Sequence, residues 1–277
     1  MGVFIITGGS KGIGAETAAI LKQQGHEVVN IDIAGGDVNV DLASEAGRRQ
    51  AIDYVFGNYP SGIDGFVCNH GIGGLARYKA SQILAVNYFS SVRLLSAFYD
   101  LLKKKSGNCV VVSSGSIAYA KRGKYFVDEL LTNCGDEERI GRLVDSFTAG
   151  DQLSGAEDAE SGRFIPGVIA NTMYLSSKIA VAQWVRRISA SWAQHGVRIN
   201  AVAPGAASTN IMQGMKKPPA DVFFYPMPGI SDQEEEMDPA DIARVIAFMV
   251  NPEMKGMSGS LVFCDAGASA IIDPNKY

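Results

Sequence analysis

The sequence has no run of about 18 apolar residues, the length that a membrane-spanning helix requires, so we expect no membrane span. It has no excess of basic residues either: the formal net charge is −4, which offers nucleic acid no positive surface. The N-terminus leads directly into an apolar strand pattern, without the basic and small-residue flanks of a signal peptide. These absences predict a globular protein located in the cytoplasm.

Cysteine and histidine are both scarce, and neither is arranged for metal binding or cross-linking. There is no CxxC pair and no histidine at ligand spacing from the four scattered cysteines, which are Cys68, Cys109, Cys134 and Cys264. We therefore predict no metal site and reduced, buried thiols. Two of the three histidines, His26 and His195, lie beside glycines in helix-to-strand turns and have an ordinary turn role.

The first 25 residues have the pattern of a strand, a glycine-rich loop and a helix. Residues 3–6 are branched and aromatic, as in a buried parallel strand, and the helix ends near Gly25. Four glycines between residues 8 and 14 allow the backbone to turn sharply and approach a diphosphate at the helix N-terminus. We predict that this loop binds a dinucleotide, with contacts from Gly8, Ser10, Lys11, Gly12 and Ile13.

Two acidic residues follow the next strand patterns. Asp32 lies eighteen residues after Gly14 and ends the pattern EVVNID, where a carboxylate accepts hydrogen bonds from an adenosine ribose. The segment DVNVDL predicts a short third strand ending at Asp41 and Leu42, where Asp41 could hold an adenine amino group. The alternative is that Asp41 only supports the start of a helix that Ser44 caps.

The later strand patterns end in polar or small residues. Because carboxyl ends of parallel strands meet at one edge of a sheet, we expect those residues to lie over the dinucleotide. They are Asn69, His70 and Gly71 after IDGFVC, Ser113 and Ser114 after CVVV, and Pro204 and Gly205 at the end of RINAVAPG.

Two helical patterns carry further polar residues. One, over about residues 81–102, holds Asn87 among apolar positions, where an amide by default bonds to the backbone. The other, over about residues 172–194, holds Tyr174 and Lys178 four positions apart, so they share one face.

The alternation of strands and helices predicts an α/β fold: a doubly wound parallel sheet (Rossmann fold) of about seven strands, with helices on both faces. We expect residues 1–277 to form one dinucleotide-binding and catalytic domain. The pattern is interrupted by a charged helical insertion over about residues 119–166, which we interpret as a cover or an oligomer contact. A segment over about residues 206–237, rich in Met, Phe, Tyr and Pro, is interpreted as a mobile substrate flap.

These motifs resemble, in order and over nearly the whole length, those of the short-chain dehydrogenase/reductase family. TGGSKGIG at residues 7–14 is similar to TGxxxGxG, and CNHG is similar to NNAG, with Cys68 and His70 as departures. SGSLVFCDAG is similar to GxxxxxDGG, with Ala266 replacing one glycine. The family's PGxxxT is matched by Pro204, Gly205 and Thr209, and its catalytic tetrad by Asn87, Ser114, Tyr174 and Lys178.

The resemblance implies a role for each member of the tetrad. Tyr174 is the acid/base that exchanges a proton with the substrate oxygen, and Ser114 bonds that oxygen. Lys178 holds the nicotinamide ribose and, as an ammonium one helical turn away, stabilises the phenolate of Tyr174. Asn87 positions a water that relays protons to Lys178. His70 is near the cofactor by its position in the sequence, and we interpret it as a spacer, with a catalytic role as the alternative.

Several segments, among them GHEVVNIDI and DLASEAGRRQAI, look like the bacterial 3α-hydroxysteroid dehydrogenase/carbonyl reductase group of this family. The long interval of 59 residues between Ser114 and Tyr174 is also similar to that group, although here it is longer. The resemblance implies a small hydrophobic secondary alcohol or ketone as substrate, of the steroid, cyclic terpenol or aryl type, and a homodimer, with a tetramer as the alternative. The apolar side chains of the flap suit such a substrate, or else pack a dimer or the body of the protein.

The choice of cofactor depends on two opposed signals. Lys11 stands where relatives that use NADP often carry a basic residue. Asp32 favours NAD, because its carboxylate bonds ribose hydroxyls and repels a 2′-phosphate. Ile33 and Ala34 supply no guanidinium to compensate, so we predict NAD, with an NADPH-preferring carbonyl reductase as the alternative. A non-catalytic NAD-sensing protein is disfavoured by the complete tetrad.

Overall fold

The computed structural model describes residues 1–75, 77–118, 124–133, 135–149, 166–208, 236–272 and 274. Within these ranges seven strands form one fully parallel sheet in the order β3-β2-β1-β4-β5-β6-β7. The predicted doubly wound parallel sheet is confirmed. The strands are β1 (Val3–Thr7), β2 (Glu27–Asp32), β3 (Val38–Asn39), β4 (Gly65–Cys68), β5 (Asn108–Val112), β6 (Arg198–Pro204) and β7 (Leu261–Cys264).

Helices connect the strands and flank the sheet. None of those in the described ranges combines the length and the hydropathy needed to cross a bilayer. A π-helical turn (Ala85–Phe89) and a 3₁₀ turn (Gly115–Ala118) interrupt the regular pattern. The helices are α1 (Gly12–Gln23), α2 (Glu45–Asn58), α3 (Ala80–Leu84), α4 (Ser90–Lys105), α5 (Lys124–Thr132), α6 (Glu137–Ala149), α7 (Pro166–Ala193), α8 (Pro239–Val250) and α9 (Ala268–Ile272).

The core lies on both faces of the sheet. Successive strand residues point to opposite faces, so a strand covered on both sides is apolar throughout. In β1, Ile5 packs in the cluster that contains α2, α4 and α7, while Phe4 and Ile6 pack in the cluster of α1 and α8. This layering leaves the carboxyl edge of the sheet as the place where the strand ends and loops meet.

The third strand is shorter than the sequence predicted. β3 ends at Asn39, and Asp41 and Leu42 follow it instead of closing it. The Asp41 carbonyl accepts hydrogen bonds from the Ser44 N–H at 3.2 Å and the Ser44 hydroxyl at 2.9 Å. The backbone therefore turns at Asp41 toward α2, whose N-cap is Ser44, and it cannot stay extended.

The helix predicted over residues 81–102 is not one regular helix. Its middle is the π-helical turn, in which the Ser90 N–H bonds to the Ala85 carbonyl, five residues back. Tyr88 and Phe89, which lie in this wide turn, are buried in the core. Asn87 lies inside the turn.

Two helices of the predicted insertion, α5 and α6, pack onto the body of the protein. Their buried side chains join the same core cluster as the sheet. The Arg48 guanidinium of α2 makes a bidentate pair with the Glu137 carboxylate, at 2.8 and 3.1 Å. Asp145 accepts hydrogen bonds from the Ser81 N–H at 3.0 Å and the Ser81 hydroxyl at 2.7 Å. α6 is thus joined to both α2 and the first turn of α3; residues 119–123 and 150–165 lie outside the described ranges.

Asp145 of α6 serves as the N-terminal cap of α3. Lys79, the residue at the N-cap position of α3, makes no capping bond with its own side chain. We expect Asp145→Ala to lower the free energy of unfolding by about 1–2 kcal/mol, the usual cost of a lost cap with its partners left buried. Urea denaturation followed by circular dichroism measures this. Asp128→Ala, at an exposed position of α5, is the control and should change stability little; equal effects of the two substitutions would contradict the cap.

The ends of the predicted flap lie side by side, although residues 209–235 are outside the described ranges. Ala207 and Met237 form a parallel β-bridge. The Met237 N–H donates to the Ala206 carbonyl at 2.8 Å, and the Ser208 N–H donates to the Met237 carbonyl at 3.0 Å. The segment therefore leaves and rejoins the body at one place, directly after β6.

Candidate active site

The topology brings the four predicted catalytic residues to the carboxyl edge of the sheet. Ser114 follows β5, Asn87 lies in the π-helical turn, and Tyr174 and Lys178 lie on one face of α7. Asn87 and Lys178 are buried, whereas Ser114 and Tyr174 are half-buried. The two hydroxyl groups are therefore the accessible members of the set.

Lys178 is a buried ammonium held by the end of β5. Its Nζ donates a hydrogen bond to the Val112 carbonyl at 2.9 Å. Burial lowers the pKa of Lys178 to about 8, and the nearby Cys68 opposes this shift weakly. The side chain can therefore change its charge near neutral pH, which an exposed lysine does not do.

Tyr174 and Ser114 present neighbouring hydroxyl groups. Burial raises the pKa of the Tyr174 phenol, and the hydrogen bond with Ser114 acts in the opposite direction because it favours the phenolate. Ser114 Oγ is also 2.8 Å from Ser116 Oγ, a contact that the sequence analysis did not predict. Two hydroxyl groups with a further serine behind them form a site that can bond a substrate oxygen.

Asn87 uses its whole side chain to fix the loop after β4. Its Oδ1 accepts the Ile72 N–H at 2.9 Å, and its Nδ2 donates to the Ile72 carbonyl at 3.0 Å. This geometry agrees with the backbone-bonding role expected of a buried amide. A proton relay through Asn87 can use only its backbone carbonyl, which already accepts the Ser91 hydroxyl at 3.1 Å.

The loop after β4 lies directly against the tetrad. A Cβ at Gly71 would stand 3.2 Å from Asn87 Oδ1 and 3.3 Å from Lys178 Nζ. A Cβ at Gly74 would stand 2.8 Å from the Tyr174 Cβ and 2.7 Å from the Asn171 Cα. Glycine is therefore required at Gly74 for the loop to approach α7 this closely, and Gly71 contacts both buried members of the tetrad.

The glycine-rich loop has the shape that a diphosphate needs. Gly8 and Gly12 have positive φ values of 69° and 54°, in the left-handed region that glycine adopts readily. A Cβ at Gly14 would stand 2.1 Å from the Gly8 carbonyl, so only glycine allows the loop to pack on α1. Lys11 is exposed at the N-cap position, and Ile13 packs its side chain on the core, which leaves its backbone for a phosphate. These residues fit a dinucleotide.

Asp32 stands at the end of β2 and orders this loop. Its Oδ2 accepts the Ser10 N–H at 3.0 Å, and its Oδ1 accepts the Ile33 N–H at 2.7 Å. Asn30 acts beside it: its Oδ1 accepts the Gly9 N–H at 2.8 Å and its Nδ2 donates to Ser10 Oγ at 3.0 Å. The sequence analysis missed Asn30. Its position two residues before Asp32, hence on the same face of the strand, was the available signal.

Asp41 and Leu42 have mainly structural contacts here. The exposed Asp41 accepts the Ala43 N–H with its Oδ1 at 2.9 Å, as a residue that shapes the start of α2 does. Leu42 buries its side chain in the core, so a cofactor contact from it has to be made by the backbone. The geometry thus favours the helix-start alternative for Asp41.

The end of β6 completes the edge. The Gly205 N–H donates to the Cys264 carbonyl at 2.8 Å, which joins Pro204 and Gly205 to the turn after β7. A Cβ at Gly205 would stand 2.8 Å from the Asp265 Cα. Thr209, the last residue of the predicted PGxxxT motif, lies outside the described residues.

Asn69 and His70 connect the loop after β4 to the phosphate loop. The Asn69 side chain donates to the Gly8 carbonyl at 2.8 Å. The ring nitrogens of His70 stand 2.7 Å from Thr7 Oγ1 and 2.5 Å from Ser90 Oγ. His70 therefore makes specific contacts that a spacer does not make, and the sequence analysis did not foresee them.

The described residues include no group of three or more His, Cys, Asp or Glu side chains that could hold a metal ion. Cys68 and Cys109 are buried free thiols, and Cys264 is a free thiol that is partly exposed. Burial raises the pKa of Cys68 to about 11, which keeps this thiol protonated beside the active site. Cys134 lies outside the described residues.

Comparisons with known proteins found family models and relatives that cover most of the chain. A family model described as short chain dehydrogenase matches residues 2–125, and one described as Enoyl-(Acyl carrier protein) reductase matches residues 162–269. The chain is 32% identical to the 3-alpha-hydroxysteroid dehydrogenase/carbonyl reductase of Comamonas testosteroni, with 100% of both chains covered. It is 26% identical to a coniferyl-alcohol dehydrogenase of Pseudomonas sp., with 96% of each covered.

A solved structure is also similar over the full length. The 3-alpha-hydroxysteroid dehydrogenase from Pseudomonas sp. B-0831, complexed with NADH, superposes with a TM-score of 0.82 and 29% sequence identity. The superposition covers 99% of this chain and 100% of that one.

Proposed function

This chain belongs to the short-chain dehydrogenase/reductase family, and on that basis we propose that it transfers a hydride between NAD(H) and a hydrophobic secondary alcohol or ketone. The observation that carries the proposal is the meeting of Tyr174, Ser114 and Lys178 at the sheet edge that also holds the phosphate loop. This set of residues is what proton exchange with an alcohol oxygen requires.

The proposed chemistry divides the work between the cofactor and the chain. Bound NAD supplies the acceptor for the hydride. Tyr174 takes the hydroxyl proton of the alcohol during oxidation and returns it to the carbonyl oxygen during reduction. Ser114, whose hydroxyl neighbours that of Tyr174, donates a hydrogen bond to the same oxygen and stabilises the charge that develops there.

Lys178 makes Tyr174 a usable base. A phenol with a pKa raised by burial is protonated at neutral pH, and a cation one helical turn away favours its ionised form. The Val112 carbonyl holds the lysine in place, and Asn87 fixes the loop that passes over it through Ile72. We propose that the carbonyl of Asn87 connects Lys178 to solvent through a water.

The preference for NAD rests on Asp32. Its two carboxylate oxygens lie at the end of β2 with lone pairs left for ribose hydroxyls, and a 2′-phosphate there would face a negative charge. The similar 3-alpha-hydroxysteroid dehydrogenase was solved with NADH. Lys11 supports the alternative, an NADPH-preferring carbonyl reductase, because it is exposed beside the loop.

Reversing the local charge should reverse the cofactor preference. We expect the double substitution Asp32→Asn and Ile33→Arg to raise the ratio of kcat/KM for NADP to that for NAD by about a hundredfold, since it removes a repulsion and adds a guanidinium. Ile33 is 71% exposed, so the arginine has room. Glu16→Gln, which removes an exposed charge of α1, is the control and should leave the ratio unchanged. A wild-type enzyme that already prefers NADP would contradict the assignment of Asp32.

The substrate class is tested with a panel of alcohols. We propose a ring alcohol, because two relatives that match over nearly the whole chain are named for a hydroxysteroid and for cis-4-hydroxycyclohexanecarboxylate, which both carry the hydroxyl group on a ring. The panel contains 3α-hydroxysteroids, monocyclic terpenols, benzylic alcohols and short aliphatic alcohols, each with NAD and with NADP, and reduced nicotinamide is followed by absorbance. Turnover of the ring alcohols above the short aliphatic ones supports the proposal. The reverse order, or no turnover despite NAD binding, contradicts it.

We further propose that the protein is a homodimer that acts in the cytoplasm. The expectation of a dimer comes from the 3α-hydroxysteroid dehydrogenase resemblance and its inserted helices. Light scattering that gives the mass of a tetramer would contradict it.

A further inference from the structure

His70 connects two parts of the site that the proposed chemistry requires to be aligned. Its Nδ1 is 2.7 Å from Thr7 Oγ1, and its Nε2 is 2.5 Å from Ser90 Oγ. Thr7 ends β1 where the phosphate loop begins, and Ser90 follows the π-helical turn that holds Asn87. One imidazole ring therefore spans from the cofactor loop to the catalytic turn.

The hydrogen-bond partners determine which nitrogen of the ring carries the proton. Ser90 Oγ donates its own hydrogen to the Val86 carbonyl at 2.5 Å, so it accepts a hydrogen from His70 Nε2. Thr7 Oγ1 accepts the Asn69 N–H at 3.2 Å, and its one hydrogen has two acceptors within reach, the Val67 carbonyl at 3.4 Å and His70 Nδ1 at 2.7 Å. The shorter distance assigns this hydrogen to His70 Nδ1. A neutral ring protonated on Nε2 satisfies every group in this chain.

The surroundings favour this neutral form. Burial, together with the positive charge of Lys178, lowers the pKa of His70 to about 3. The ring is thus an uncharged connector at any pH at which the enzyme works, and not a second acid/base.

At the Ser90 end, this hydrogen-bond chain stabilises the π-helical turn. In a regular α-helix the Ser90 N–H would bond to the Val86 carbonyl, but here it bonds to Ala85, and the Ser90 hydroxyl bonds to Val86 instead. Ser90 is fully buried, so a lost partner at its hydroxyl is not replaced freely by solvent. The His70 bond holds that hydroxyl in the orientation that the turn requires.

At its other end, the backbone of His70 packs against the phosphate loop. A Cβ at Gly8 would stand 2.8 Å from the His70 Cα and 3.0 Å from the His70 backbone nitrogen. A displacement of His70 would therefore move Gly8 as well. In the family's NNAG motif, alanine stands at the position of His70. Alanine cannot form the side-chain bond to Thr7 or the one to Ser90.

We propose that His70 is a positioning residue, whose imidazole fixes the phosphate loop relative to the Asn87 turn, so that the bound dinucleotide meets the tetrad in the reactive geometry. The inference rests on the proposed function, because it concerns the alignment of the same site. Small misalignments of reacting groups lower the rate of the chemical step more than they lower binding.

Two single substitutions break the connection at one end each. His70→Asn keeps an acceptor near the position of Nδ1, and so the bond to Thr7, but cannot reach Ser90. Ser90→Ala removes the other partner and leaves His70 in place. We expect each to lower kcat by about tenfold and to change KM for NAD by less than about twofold. Because they break the same connection, the double variant should lose no more than either single one.

A third variant is a test of rescue. His70→Gln can place its Nε2 donor where the imidazole Nε2 stands, so it restores the bond to Ser90 that His70→Asn lacks. We expect its kcat to lie above that of His70→Asn. Unchanged kcat in all variants with only a lower melting temperature would show a merely structural role and overturn the proposal. Losses that multiply in the double variant to about a hundredfold would overturn it as well.

Side-chain ¹⁵N NMR tests the connection without any turnover. The chain has only three histidines, so the signal of His70 is assigned by its loss in His70→Asn. We expect the Nε2-protonated tautomer, unchanged from pH 5 to 8. An Nδ1-protonated ring or a titration in that range would overturn the proposal. If no panel alcohol reacts with the wild type, the proposed function fails, while this spectrum still decides the His70 connection.

Discussion

Replacing Tyr174 with phenylalanine should lower kcat/KM by about a thousandfold or more, because the variant loses the group that exchanges the substrate proton. The ring keeps its packing on α7 and the loop at Gly74, so the fold should stay intact. Ser114 loses its phenol partner but keeps Ser116 as a neighbour. Steady-state kinetics with the best panel alcohol and NAD measure the loss, and calorimetric binding of NAD should remain within about twofold of the wild type.

Tyr99→Phe is the matched control for this experiment. Tyr99 is a half-buried tyrosine of α4 whose ring packs at a tilted angle against Trp192 near the end of α7. Its substitution should leave kcat/KM unchanged. A Tyr174→Phe enzyme that retains more than about a tenth of wild-type activity would contradict the role of the phenol, since general acid–base catalysis contributes at least a hundredfold.

Replacing Lys178 with methionine should affect activity and stability in opposite directions. We expect kcat/KM to fall by about a thousandfold, because Tyr174 loses the cation that favours its phenolate. The free energy of unfolding at pH 7 should rise by about 1 kcal/mol. A pKa lowered from 10.5 to about 8 corresponds to roughly 3 kcal/mol of burial cost that methionine does not carry, and the loss of the bond to Val112 cancels about 2 kcal/mol of it.

The stability difference should depend on pH. The pKa of Lys178 is lower in the folded state than in the unfolded state, so the unfolded chain binds the extra proton between about pH 8 and 10.5. In that window the contribution of this group to wild-type stability rises with pH. The advantage of Lys178→Met should therefore be full below pH 8 and shrink above it, as urea denaturation at several pH values would show.

Lys22→Met is the control for both measurements, since Lys22 is an exposed lysine of α1. It should change neither activity nor the slope of stability against pH. If Lys178→Met were markedly less stable than the wild type at pH 7, the burial cost inferred for the ammonium would be wrong. If it retained activity, the proposed effect on Tyr174 would be wrong.

The sequence predicted best where neighbouring residues act together. The strand, loop and first helix follow one another without interruption. Close contacts at Gly8 and Gly14, and positive φ values at Gly8 and Gly12, explain why glycine stands there. Tyr174 and Lys178 could be paired because helical geometry alone places them on one face. In both cases the information is local, so periodicity and residue type were sufficient.

The missed features depend on contacts between distant parts of the chain. The Arg48 to Glu137 pair joins residues 89 positions apart, and the Asp145 cap joins residues 64 apart. The π-helical turn was missed because it involves the bonds of the Ser90 hydroxyl to the Val86 carbonyl and to His70, which periodicity does not show. His70 was interpreted as a spacer because neither Thr7 nor Ser90 is near it in sequence.

The central claim is that this chain moves a hydride, and an isotope experiment tests it most directly. The protein is incubated with NAD and a panel alcohol that carries deuterium on its carbinol carbon, and the reduced cofactor is analysed by mass spectrometry. The account predicts transfer of one deuterium to the nicotinamide ring by the wild type, and about a thousandfold less labelled cofactor in the same time with Tyr174→Phe. Tight binding of NAD without any deuterium in the cofactor, across the whole panel, would contradict it and favour a protein that senses the nucleotide.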